Sequence, residues 1–198
     1  MTEPAAEPAL GSYRDVPGLA SATACDRLAH LAAQIPADRA IVELGVYLGR
    51  TLAALATGAQ QGHGPRVFGI DPWDMGRATR RRYHLPENRD ATTQHLTDLG
   101  LTEQVTLLRD WGRSAATLWD GPPVGLLHVD ANPTQVGGDI HAWLHLLAPD
   151  AWVLVGCYHN IHPFALADVD RLVGDGTLRL VEVAGDQLAV ARYTGGAA

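Results

Sequence analysis

The chain of 198 residues has no lysine, two cysteines, no long apolar run and fewer basic than acidic side chains. Each shortage excludes something. Its 15 basic residues, all arginines, stand against 22 acidic ones and leave a formal charge of -7. That balance argues against a broad nucleic-acid surface, because affinity for duplexes rests on neutralising phosphates. Cys25 and Cys157 lie far apart without metal-type spacing, so two reduced, buried thiols are expected rather than a disulfide framework or a zinc site. No apolar stretch approaches the ~20 residues of a membrane helix, and the first eight residues are acidic where a secretory leader would be basic. The expectation is a soluble cytoplasmic protein with a small-molecule partner, neither nucleic acid nor membrane, with a homodimer left open. The lack of lysine is a matter of composition, and no function is drawn from it.

What is present is an alternation of short apolar runs and helical patterns. Residues 1–18 are rich in Pro, Ala and Glu and read as a flexible tail; residues 19–198 read as a single domain. Leu28, Leu31, Ala32 and Ile35 recur at helical spacing before Pro36. Strands are expected at Ile41–Leu44, Val67–Ile70, Val105–Leu108, Leu126–Val129 and Trp152–Val155. Their continuous hydrophobicity suits strands covered on both faces of a parallel sheet. Between them, Thr51–Ala59, Arg89–Leu99 and Thr134–Leu147 carry helix signals. Leu178–Val183 and Leu188–Tyr193, separated by four residues, read as an antiparallel hairpin. The fold class is therefore α/β: a doubly wound, Rossmann-like, mostly parallel seven-stranded sheet with an antiparallel C-terminal edge hairpin and helices on both faces.

The candidate site centres on Ile41-Val42-Glu43-Leu44-Gly45-Val46-Tyr47-Leu48-Gly49-Arg50-Thr51: a buried strand, a turn with two glycines, then a helix start. This is how α/β proteins build nucleotide pockets. A pyrophosphate needs closely spaced glycines around it, and Tyr47 obstructs such a cradle, so a nucleoside ligand without pyrophosphate fits better. Asp71, closing the second strand, suits ribose hydroxyls. An ordinary strand-to-helix turn remains the plain alternative for the glycines.

These stretches, with Phe68-Gly69-Ile70-Asp71-Pro72-Trp73-Asp74, His128-Val129-Asp130, Asp139-Ile140-His141-Ala142-Trp143, Leu146-Leu147-Ala148-Pro149 and the final hairpin, resemble the class I S-adenosylmethionine-dependent methyltransferases. Within that family they resemble the small-molecule group that includes sugar and antibiotic-tailoring methyltransferases. The resemblance implies S-adenosylmethionine as cofactor and a specialised-metabolite acceptor. It implies cofactor contacts from Glu43, Gly45, Tyr47, Gly49, Thr51, Asp71, Trp73 and Asp130, with Glu43 near the cationic methionine part. Asp110 would accept from the adenine amino group, flanked by Trp111 and Ser114; simple core packing is the alternative for Trp111. Metal-dependent relatives follow the strand-end aspartate with further carboxylate and histidine ligands. Here Ala131-Asn132-Pro133 stands there and Cys157-Tyr158-His159-Asn160 follows the fifth strand, so no tightly bound divalent metal is expected.

Catalysis would then fall to His159 as general base, beside Asp130. A plain surface histidine is the competing view. Several other readings stay open. His159 and His162 with Asp130 could be read as an iron triad, and His141 with His145 as a zinc pair. The arginines Arg77, Arg80, Arg81, Arg82 and Arg89 suit either a carboxylate or phosphate on the acceptor or a solvated face. A protein that keeps the fold and binds the cofactor without transferring methyl is the alternative function, and a nicotinamide enzyme comes third.

Overall fold

The computed structural model describes residues 11–74, 88–156, 163–185 and 187–195. Seven strands form one sheet in the order β3-β2-β1-β4-β5-β7-β6: β1 Ala40–Leu44, β2 Arg66–Ile70, β3 Val105–Leu108, β4 Val124–Val129, β5 Leu147–Val155, β6 Leu178–Ala184 and β7 Leu188–Tyr193. The first five strands run parallel, and β7 runs antiparallel between β5 and β6. All residues of β1 and β4 are buried, which suits sequences that are apolar but for Glu43 and His128 when both faces are covered. The strand order reverses between β1 and β4, and the crevice beyond their carboxyl ends is where open α/β sheets bind ligands.

Helices α1 Ala22–Ala32, α2 Arg50–Gln61 and α3 Asn88–Asp98 lie on one face. On the other lie α4 Gly112–Thr117, α5 Val136–Trp143 and α6 Pro163–Gly174. Helix α1 starts at Ser21, whose hydroxyl accepts from the Ala24 N–H, an N-cap worth about 1 kcal/mol. Helix α2 crosses α1 at backbone contact: a Cβ at Gly58 would lie 2.0 Å from the Ala29 carbonyl oxygen. The two helices therefore form one slab behind β1.

The expected helix 134–147 is shorter than its pattern. Helix α5 ends at Trp143, a 3-10 turn covers Leu144–Leu146, and Leu147 already belongs to β5. Pro149 and Asp150, the latter at φ 60, lie where the β4–β5 register shifts, and such an irregularity is where a strand tolerates proline. Two helices absent from the sequence reading are α4, which is one short turn anchored by Ala115 and Ala116, and α6, which buries Ala165, Val169 and Leu172 at helical spacing.

Part of the stretch expected as tail also has defined contacts. Arg14 pairs with Asp26, the Tyr13 hydroxyl donates to the same carboxylate, and Arg50 donates to the carbonyls of Val16 and Ala20. Among the described residues no helix is long and apolar enough to cross a membrane.

Candidate active site

The loop after β1 is held from several sides. Gly45, Tyr47 and Gly49 all have positive φ, at 87, 53 and 88 degrees. For Tyr47 that conformation is uncommon and must be enforced by its surroundings. Asp71, at the end of β2, supplies much of the enforcement: Oδ2 accepts from the N–H groups of Val46 at 2.8 Å and Tyr47 at 3.1 Å, and Oδ1 from that of Trp73 at 2.6 Å. From α3, the Thr92 hydroxyl donates to the Tyr47 carbonyl, and His95 Nδ1 meets the Leu48 carbonyl. A Cβ on Gly45 would stand 2.6 Å from the Asp130 carbonyl oxygen and 2.7 Å from Ala131 Cα. Two strand ends are thus brought together with no room for a side chain between them.

Two adjoining cavities open around this loop. The wider, of about 1090 Å³, is walled by Tyr47, Asp71, Trp73, Trp111, Arg113, Asp130, Asn132 and Asp139, with Leu19 at its rim. The narrower, of about 350 Å³, lies towards α1 and α2, against Thr51, Arg50, Gly156 and Leu188. Gly45, Tyr47, Asp130, Ala131 and Leu19 border both. Functional pockets run about 300–1,000 Å³, so the pair has room for more than one ligand group.

Glu43 lines neither cavity. It is wholly buried on the α1–α2 face, where its Oε1 meets Nδ1 of the equally buried His128 at 2.7 Å. Burial pushes the Glu43 carboxyl up, outweighing the downward pull of His128 and of the Thr51 hydroxyl. Burial pulls His128 down, but the bond to Glu43, its charge and that of Asp130 together hold the imidazole above its ordinary pKa. Both directions favour a proton held by the pair. Glu43 Oε2 has no hydrogen-bond partner among the described residues, and an unmade buried hydrogen bond costs about 1–3 kcal/mol.

After β3, Asp110 turns back on its own loop. It accepts from the Trp111 N–H and the Ser114 hydroxyl, and neither Asp110 nor Ser114 borders either of these two cavities. Trp111 does, with 58% of its surface exposed, so core packing does not account for it. Trp73 borders the wide cavity too, at φ 45, with the Arg89 guanidinium 5.8 Å over its ring.

The sequence reading missed Arg113 and Asp139 as cavity residues. Arg113 Nε donates to Asp139 Oδ1 at 3.0 Å, and burial raises the Asp139 pKa against the pull of that arginine. Asp139 stood in a quoted motif without a role; its contact with Arg113 spans 26 positions and has no periodic signature. His128 was likewise quoted without a role. Cys157, Tyr158, His159 and His162 lie outside the described residues, as do Arg77, Arg80, Arg81 and Arg82. His141 and His145 are exposed, and among the described residues no group of three or more His, Cys, Asp or Glu could hold a metal.

Comparison with known proteins gives a consistent picture. A family model described as a methyltransferase domain matches residues 42–156. No curated protein sequence matches the chain. Among solved structures, cofactor-bound Rv0187 from MTB is similar at a TM-score of 0.69 and 21% identity, over 90% of this chain and 84% of that one. The O-methyltransferase TomG from Streptomyces achromogenes, involved in tomaymycin synthesis and solved with SAM, gives 0.65 and 22% over 91% and 84%. An O-methyltransferase from Bacillus cereus in complex with SAH gives 0.67 and 14% over 91% and 85%. At these identities the likeness is one of fold.

Proposed function

We propose that this chain, which belongs to the methyltransferase domain family, uses S-adenosylmethionine to methylate an oxygen of a small-molecule acceptor, without a divalent metal. The observation that carries the reading is the double cavity at the β1–β4 switch point, split by a glycine turn that admits no side chain. The wide part suits a nucleoside and an acceptor together. Trp111 offers a face for the base, and Asp71 has one acceptor position left for a ribose hydroxyl, since a carboxylate accepts about four hydrogen bonds and three are taken. Thr51, Asp130 and the backbone at Gly45 would hold the amino-acid tail in the narrow part.

Bound there, the cofactor supplies a methyl group already activated on a sulfonium. The chain's own task is to orient the acceptor hydroxyl and take its proton. His159 is the general base in this reading. It follows Gly156 by three positions, and Gly156 passes so close to Asp130 that a Cβ there would meet the carboxylate at 2.3 Å. The donor set supports a metal-free reaction, because Ala131 and Asn132 occupy the positions after Asp130 where hard carboxylate ligands would be required.

The test combines binding with turnover. Calorimetry should show one S-adenosylhomocysteine per chain, and a panel of phenols and sugars incubated with S-adenosylmethionine should yield a singly methylated product. His159→Ala should lower turnover by about 100-fold or more with S-adenosylhomocysteine affinity unchanged; full turnover would remove His159 from the reaction. One metal per chain after chelator-free purification would overturn the metal-free reading. Cofactor binding with no methylated product from any panel or extract would favour the alternative of a fold-keeping, non-methylating protein.

A further inference from the structure

Among the described residues, the buried layer between α1, α2 and the sheet is apolar except at Glu43, His128 and the neighbouring Thr51. The pair joins β1 to β4, the two strands that flank the switch point, and Glu43 and His128 are direct register partners. On its other side Glu43 faces Gly69 of β2, and His128 faces Leu154 of β5; neither residue titrates. The remaining groups near the pair are Asp130 at the end of β4, the Thr51 hydroxyl in the first turn of α2, and the Cys25 thiol of α1. Thr51 matters most, because it flanks the Glu43 carboxylate and also borders the narrow cavity. The Glu43 carboxylate, whose Oε2 is unpartnered among the described residues, is therefore linked to that cavity through a single side chain, Thr51. A wholly buried acceptor left unmade next to a cavity is an acceptor kept for a donor that arrives with a ligand. His128 grips the carboxylate directly, Nδ1 to Oε1 at 2.7 Å, and the Thr51 hydroxyl adds a second hydrogen-bonding influence on it.

We propose that His128 is a positioning residue for the amino-acid tail of the cofactor: its Nδ1–H holds Glu43 Oε1, so that Oε2 is presented, beside Thr51, to the tail's ammonium group. This rests on the S-adenosylmethionine reading above and deepens it. With its donor removed, Glu43 would be a lone buried carboxyl and would keep its own proton at neutral pH. It would then meet an ammonium as a neutral acid, with its charge lost and its rotamer unfixed. The nucleoside half of the site, built from Asp71 and Trp111, touches neither residue and should not respond.

Two ligands separate the halves. S-adenosylhomocysteine carries the amino-acid tail, whereas methylthioadenosine keeps the nucleoside and thioether and lacks it. In calorimetry on the full chain, His128→Phe should weaken S-adenosylhomocysteine by about tenfold or more and leave methylthioadenosine unchanged. His128→Asn, whose amide can donate from near the Nδ1 position, should restore most of the loss. In His128→Phe the loss should shrink as pH rises from about 6.5 to 9, as Glu43 gives up its proton. Glu43→Gln should lose the same preference, and adding His128→Phe to it should cost nothing further.

Unchanged S-adenosylhomocysteine affinity in His128→Phe would overturn the proposal. So would a parallel loss of both ligands, which would mark a merely structural role. Should His128→Phe not fold, Glu43→Gln alone decides, since it must lose the tail-bearing ligand selectively. Wild-type protein that binds methylthioadenosine but shows no preference for S-adenosylhomocysteine would sink the proposal while sparing the nucleoside reading. Binding of neither ligand would sink both.

Discussion

The loops that follow β1 and β3 face the same cavity and are supported in different ways. The first holds three residues in the left-handed region, is bonded by Asp71 from β2 and by Thr92 and His95 from α3, and lies against the backbone of Asp130 and Ala131. The second is bonded by Asp110 to its own neighbours and tied outward by Arg109 to the Pro72 carbonyl and by Trp143 to the Gly112 carbonyl, and it leaves Trp111 largely in the open. Strain concentrated in a loop persists only when the surroundings over-determine it. Substitutions in the first loop should therefore act through the fold and the ligand together, whereas substitution of the exposed Trp111 in the second should act on the ligand alone.

Gly45→Val should break the first loop outright. Its Cβ would enter backbone that cannot give way, at a φ a branched residue avoids, and a loss of about 4 kcal/mol or more is expected in chemical denaturation, with no cofactor binding. Asp71→Ala comes next. It removes the acceptor of three backbone N–H groups and should cost about 2–4 kcal/mol of stability, along with most nucleoside affinity; Asn at this position, keeping one oxygen acceptor, should fall between. Trp111→Ala tests the other loop. Affinity for both S-adenosylhomocysteine and methylthioadenosine should drop by about 1–2 kcal/mol, with stability unchanged within about 0.5 kcal/mol. A large stability loss there would erase the contrast between the loops.

The smallest effect concerns Cys25, on α1 behind the supported loop, whose thiol burial pushes up to about 11. A raised pKa favours the neutral thiol. Alkylation at Cys25, read by peptide mass spectrometry, should therefore stay slow in the folded protein through about pH 9, above the ordinary thiol pKa. It should accelerate only on unfolding. Any stability this thiol contributes is present below its unfolded pKa and is lost as pH rises towards 11.

Much of the fold was legible because apolar strand residues leave a local mark, strongest in β1 and β4, which are buried throughout, and present even in β6, where only Leu178 is buried. Each of the seven apolar runs became a strand, and Gly100 closed α3 where its pattern stopped. Boundaries failed where tertiary pairing competes with local pattern. Leu147 reads as the end of an amphipathic helix, yet it pairs with Val124 as the first residue of β5. Helix α4 is too short to show a period. In the site, the residues at strand ends could be read because topology sends them to one crevice. Their partners could not. Asp71 was expected to face ribose, and nothing in a linear pattern shows that it also accepts from the loop 25 positions earlier.

The sequence by itself determined the alternation of elements, the edge hairpin and the glycine turn, since each depends on neighbours within a few residues. Only the tertiary structure decided which polar groups meet. Arg113 reaches Asp139, and His128 reaches Glu43 across 85 positions, because strand order and register bring them within hydrogen-bonding distance. A hydrogen bond depends on distance and direction in space, and the sequence pattern carries neither.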